Sequence, residues 1–265
     1  MKNSELDLLF DEWIAESKKN NEWQSEEQIA FTKDGILEKD VDAMWYNSRK
    51  RILFLLKDQP TEWSDDVRLW LKDTEKDSEK SKTQKSKNRE LEHDFIRNIA
   101  NVFWGLYTID NPNDCDYSKV LEKEKEVKQC FNTMPFALVE SKKQGGGTSI
   151  TDTELKKYLE RYKTFLRREL DILSPNMIVC TNEVIYDFVI KYYNEKYPDS
   201  PLRTLEGHNS IRIHPESKTL IFCSYHPSAT KYPQCDEAKF YGGVMEHYRA
   251  FLQSEYFHHF KSLYD

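Results

Sequence analysis

"RILFLLKDQP", Arg51 to Pro60, decides how the rest of the chain is read. Five consecutive apolar residues, Ile52 to Leu56, are bounded by charge on one side and by the polar stretch Lys57–Asp58–Gln59 on the other. A strand with one wet face alternates apolar and polar residues, whereas a short unbroken apolar run between polar flanks marks a strand covered on both faces. This stretch is therefore read as the first strand of a parallel sheet with helices above and below.

Working outward, three more runs have the same character: "MPFALVES" (Met134 to Ser141), "MIVC" (Met177 to Cys180, entered through Pro175) and "LIFCSYHPSAT" (Leu220 to Thr230). The last is preceded by "SIRIHPESK", which can pair with it as a hairpin through a polar turn at Pro215 to Lys218. Helical periodicity fills the intervals. Leu6, Leu9, Phe10, Trp13 and Ile14 make one apolar face between Glu5 and Ser17, and Phe95, Ile96, Ile99, Val102, Phe103 and Leu106 make another. Ser149 or Thr151 can cap a third helix ending near Leu173, with Glu154 placed as the capping-box partner of Thr151. "EVIYDFVIKYYNEKY" and Ala238 to Leu252 supply two more. Strand, crossover helix, strand is the rhythm of an α/β sheet. It predicts one domain over 1–265, with an N-terminal helical extension (about 1–48) and a charged insertion (about 73–92) whose only apolar residue is Leu91.

Composition sets bounds on function. With 38% hydrophobic and 13% aromatic residues, the 265-residue chain has enough apolar material for a core, which excludes a disordered protein despite 32% charged residues. No stretch approaches the ~18 consecutive apolar residues of a membrane-spanning helix, and the N-terminus carries acids where a secretory leader has bases. A soluble, cytoplasmic protein with no membrane partner is expected. Five cysteines without a CxxC pair read as reduced thiols, so neither metal nor cofactor is expected. "FHHF" (Phe257 to Phe260) places adjacent histidines in different directions on a helix, which does not make a metal site. His208 and His214 are expected to face solvent. The net charge of −7 argues against coating of nucleic acid by bulk electrostatics and leaves room for a local basic groove.

Ligands of open α/β sheets bind beyond the carboxyl ends of the strands. Those ends hold Asp58 and Gln59, Glu140 and Ser141, Thr181 and Asn182, and His226 with Ser228. Each has a structural reading beside the functional one. Asp58 can be a turn residue, Gly145, Gly146 and Gly147 can be a plain loop, and Pro227 by itself ends a strand.

The order and spacing of an apolar strand ending in "KDQP", a Lys-Gly rich loop opening a long helix, "LSPNMIVC" and "YHPSA" resemble the uracil-DNA glycosylase superfamily, near its iron–sulfur branch but without the cluster cysteines. The resemblance covers about residues 51–250. It implies a three-layer α/β/α sandwich around a central, mainly parallel four-stranded sheet, and DNA as partner. It also implies that His226 donates to the departing base while Asp58 or Gln59 holds the water. Glu140, Ser141 and Asn182 would read the base, and Lys142, Lys143, Gly145, Gly146, Gly147 and Ser228 would contact phosphate. The chain departs from that pattern at Lys57, where members have Gly, at Asp58 and Gln59, and at Glu140 or Ser141, where an asparagine often reads the base.

Hydrolysis of the bond between sugar and uracil, or another deaminated or damaged base, after base flipping is the expected activity. A catalytically inactive member of the fold that binds nucleic acid, a nucleotide or a protein is the alternative. Hydrolysis of a nucleoside or other small N-glycoside follows the same charge logic. The oligomeric state is not legible.

Overall fold

All five residues of β2 (Ile52–Leu56) have at most 1% of their surface exposed. Ile52 and Phe54 enter one apolar cluster and Leu53 and Leu55 another, so the unbroken run reflects burial on both faces. The computed structural model describes residues 2–20, 31–37, 42–58, 66–145, 150–228 and 237–261.

In chain order the described residues form α1 (Lys2–Lys19), β1 (Gly35–Ile36), α2 (Asp42–Asn47), β2, α3 (Glu79–Arg89), α4 (Asp94–Thr108), α5 (Tyr117–Leu121), α6 (Glu124–Thr133) and β3 (Ala137–Glu140). There follow α7 (Asp152–Leu173), β4 (Met177–Cys180), α8 (Glu183–Lys196), β5 (Arg203–Leu205), β6 (His208–His214), β7 (Thr219–Cys223), α9 (Glu237–Leu252) and α10 (Glu255–Phe260). The sheet order is β1-β3-β2-β4-β7-β6-β5. Its middle four strands, β3-β2-β4-β7, are mutually parallel. The four strands read from the sequence are these, but among the described residues the sheet has seven.

Antiparallel strands extend both sides, and neither addition has a long apolar run to announce it. β6 joins β7 through the expected hairpin, Ile211 opposite Phe222 and His214 opposite Thr219. β5 then folds onto β6 through Glu206 and Gly207, with Gly207 at φ +75°, where a side chain is strained. On the other side, 31–37 runs antiparallel to 136–144. Phe31 bridges Gln144, Thr32 N–H donates to Lys143 O at 2.7 Å, Gly35 pairs with Leu138, and Leu37 N–H donates to Phe136 O at 3.1 Å. Gly35 is required there, since a Cβ would lie 2.5 Å from Leu6 Cδ1 on α1 and its φ is +131°. The N-terminal extension is thus not only helical but contributes an edge of the sheet.

Helices cover both faces. α4, α6 and α9 pack Phe103, Phe131 and Tyr248 against Phe54, Leu138, Val179 and Phe222. α1, α7 and α8 pack Trp13, Leu166 and Ile185 against Leu53, Val139, Ile178 and Ile221. α7 starts where the sequence places it. Thr151 Oγ1 accepts from Glu154 N–H at 3.3 Å, and Glu154 accepts from Thr151 N–H at 3.1 Å. The charged insertion is the polar helix α3, which buries only Lys85 and Asn88 before Leu91 returns to the core. His214 does not face solvent: it is fully buried, hydrogen-bonded to Ser217 Oγ at 2.6 Å and Ser200 O at 3.0 Å, because β6 turns it inward beneath Tyr197. His208 is partly buried, its Nδ1 2.9 Å from Nδ1 of His247. Among the described residues no helix is long and apolar enough to cross a membrane.

Candidate functional site

Chain order along the parallel strands reverses at β2, since the crossover from β2 runs to β3 on one side and the crossover from β3 returns to β4 on the other. A crevice opens beyond the carboxyl ends at such a point. Backbone pairing continues past the strands and holds those ends in register. Ser141 N–H donates to Leu56 O at 2.8 Å, Lys142 N–H to Lys57 O at 2.9 Å, Thr181 N–H to Leu55 O at 3.1 Å and Ser224 N–H to Cys180 O at 2.8 Å. Asp58, Glu140, Ser141, Lys142, Asn182 and His226 therefore lie along one edge. Adjacent strands are about 4.8 Å apart, so β2 and β7, one on each side of β4, end about 10 Å apart.

His226 follows β7 and is partly buried. Ser228 N–H donates to its Nδ1 at 3.1 Å. A backbone amide can only donate, so Nδ1 is the unprotonated nitrogen and the neutral ring carries its proton on Nε2. The Phe95 ring lies 5.8 Å away. Burial, reinforced by the Lys57 ammonium, pushes the imidazole pKa down to about 4. At neutral pH His226 is an uncharged hydrogen-bond donor.

Asp58 is held on the opposite side of the edge, with Lys142 Nζ 3.8 Å from its Oδ2. Burial raises its pKa, with Lys142 and Lys57 opposing. Glu140 is 3% exposed, and its Oε2 has no hydrogen-bond partner. Burial and then the Asp34 carboxylate raise its pKa well above the usual range, only partly offset by Lys143. For a group raised in the folded state, the stabilising contribution is complete below the unfolded value near 4.5 and is lost as pH rises through the folded value. Glu140→Gln keeps the shape without the titration, so its thermal midpoint should exceed that of the wild type at pH 8 by more than at pH 5. Equal shifts at both pH values in a thermal melt would contradict this.

Several candidates are committed elsewhere. Lys143, expected to meet phosphate, is fully buried and pairs with Asp34 (2.6 and 2.7 Å) and Glu169 (2.8 Å), beneath the rings of Phe10 and Trp13. It is a core ion, out of reach of a ligand. Asn182, expected to read a base, caps α8 by accepting from Val184 N–H at 2.8 Å and donates to Asp152 Oδ1 at 3.2 Å. Lys57 also reaches Asp152 Oδ1 at 3.2 Å, so the first residue of α7 ties the ends of β2 and β4 together. The Ser228 amide serves His226 as described above. Ser141 is fully buried and its Oγ has no partner; Lys142 and Gly145 are partly exposed. Gln59, Gly146 and Gly147 lie outside the described residues.

Three contributors were not read from the sequence: Asp34, Asp152 and Asn98. Asn98, on α4, donates from Nδ2 to Pro227 O at 2.7 Å. Its helix reads as an ordinary apolar face, and the only signal was a polar residue interrupting that face. Unpartnered buried polar atoms gather along this edge, at Asn98 Oδ1, Glu140 Oε2, Ser141 Oγ and Ser224 Oγ. Such atoms are few in folded proteins, and each calls for a partner or a role, a water, an ion or a ligand among them.

A polar cavity of about 60 Å³ at the other end of the sheet, lined by Arg51, Asp171, Tyr192 and Lys196, is satisfied internally. Asp171 accepts from both Tyr192 and Lys196, and Arg51 Nε donates to Ser174 O at 2.7 Å. Among the described residues no group of three or more His, Cys, Asp and Glu side chains is disposed to hold a metal ion. No protein-family model and no curated protein matches the chain.

Proposed function

We propose that the protein hydrolyses an N-glycosidic bond, that of uracil or another deaminated or damaged base in DNA, in the manner of the uracil-DNA glycosylase superfamily it resembles. The observation that carries this reading is the neutral His226, its proton on Nε2, beyond the end of β7, with Asp58 beyond the end of β2 on the other side of β4. About 10 Å between the strand ends leaves room for one flat heterocycle. As the bond to the sugar breaks, negative charge gathers on the base and positive charge on the sugar. An uncharged imidazole N–H stabilises the first by a hydrogen bond that strengthens as charge develops, and the Asp58 carboxylate stabilises the second and orients water.

Asp58 loses its carboxylate by protonation on the acid side, at a pKa that burial raises, whereas His226 stays neutral down to about pH 4. The expected kcat/KM profile falls on the acid side as Asp58 is protonated, with no separate inflection from His226 near pH 6.5. A fall centred near 6.5 that persists in Asp58→Asn would place a solvated histidine in the role. The direct test is base release from oligonucleotides carrying uracil, hypoxanthine or xanthine, compared with Asp58→Asn and His226→Ala variants of confirmed fold. A wild type that leaves all three intact would remove the reading.

The second reading is a binding protein of the same architecture, motivated by the Lys57–Asp152–Asn182 bridge that spans β2 and β4 at the edge where a ligand would enter. It predicts salt-dependent binding of single-stranded or uracil-containing DNA without turnover.

A further inference from the structure

We propose that Asn98 is the positioning residue of this site: by holding the His226–Pro227 loop, its carboxamide fixes the imidazole as the Nε2–H tautomer. The inference rests on the reading of His226 as a donor but stands on its own geometry. Proline has no N–H, so the loop cannot be anchored there through an amide and has to be held by its carbonyl. Asn98 Nδ2 meets that carbonyl at 2.7 Å across 129 residues of sequence. One turn earlier on α4, Phe95 lies at 5.8 Å from the imidazole, and one residue beyond the proline, Ser228 N–H reaches Nδ1 at 3.1 Å. Ring, carbonyl and ring nitrogen are thereby each held, the first two from a single helix face.

Asn98 is 1% exposed and its Oδ1 has no partner. Filling space would be done better by leucine, which buries no orphan acceptor. The amide is accounted for by its other end, the donor on Pro227.

The test reads the imidazole itself, so it does not depend on turnover. In ¹⁵N-labelled protein, with His226→Gln used for assignment, the wild-type ring should show an unprotonated Nδ1 and a protonated Nε2, and stay neutral down to about pH 4. Asn98→Leu keeps the bulk and removes the donor. There the titration midpoint should rise by about one unit or more towards the ordinary value of about 6.5, with the two nitrogens averaging between tautomers. Asn98→Ala serves if the leucine variant does not fold. An unchanged tautomer and midpoint in a folded variant would overturn the inference, as would an Nδ1-protonated ring in the wild type. A wild-type protein that shows the fixed tautomer but releases no base would support the mount while removing the catalytic reading.

Discussion

Lys143→Ala is expected to lower the free energy of unfolding by about 3–5 kcal/mol, because it leaves a buried carboxylate without its counter-ion. The lysine ammonium lies against both oxygens of Asp34 and against Glu169, all three side chains being excluded from solvent. Burial and then Asp34 hold the Glu169 carboxyl well above its usual range, so the cluster amounts to one lysine charge set against one carboxylate. In a chain of this size the loss corresponds to a thermal midpoint lower by roughly 10 °C. The consequence reaches the site. Asp34 Oδ2 also accepts from the Glu140 amide at 2.7 Å, and Lys143 N–H donates to Tyr158 at 3.2 Å, so the cluster fixes the loop that carries Glu140, Ser141 and Lys142. A Lys143→Met, Asp34→Asn double variant should be less damaged than Lys143→Met alone. Asparagine keeps an acceptor for the Glu140 amide and carries no charge. Urea unfolding of the three proteins decides this, and a Lys143→Met variant as stable as wild type would contradict it.

His226→Ala is expected to reduce base release by about 10²- to 10³-fold, the usual loss when one preorganised donor to a developing negative charge is removed. His226→Gln, which retains an N–H donor, should fall less far. The histidine also contributes to stability with a definite sign. Its pKa is lower in the folded protein, about 4 against 6.5, so its contribution is complete above pH 6.5 and is lost as pH falls through about 4. Allowing for partial exposure, this is on the order of 2–3 kcal/mol between those values. Acid titration of stability should therefore be shallower in His226→Gln than in the wild type over that window, whatever the activity. Parallel curves would show that the imidazole is solvated.

The four parallel strands were legible because each is buried on both faces, and such burial leaves an unbroken apolar run as its signature. The edge strands were less so. β1 is two residues long and β5 three, and they are held by pairing with β3 and β6, a property of the partner strand that local periodicity does not carry. His226 and Asp58 were legible as candidates for a similar reason, since polar residues at the ends of buried strands stand out against their surroundings. Lys143 and Asn182 have the residue types of ligand contacts, and only their surroundings distinguish them. Lys143 lies beside Asp34, which is 109 residues away in the chain, and Asn182 caps α8.

By itself the sequence determined the α/β class and the alternation of buried strands with amphipathic helices, because hydrophobic period and turn residues are local quantities, while the spatial order of the strands belongs to the folded sheet. The tertiary structure alone decided the burial of His226, the ion pairing of Lys143 and the hydrogen bond from Asn98 to Pro227. Each of these depends on desolvation and on hydrogen-bond partners brought together across more than one hundred residues of chain, and burial and pairing of that kind exist only after folding.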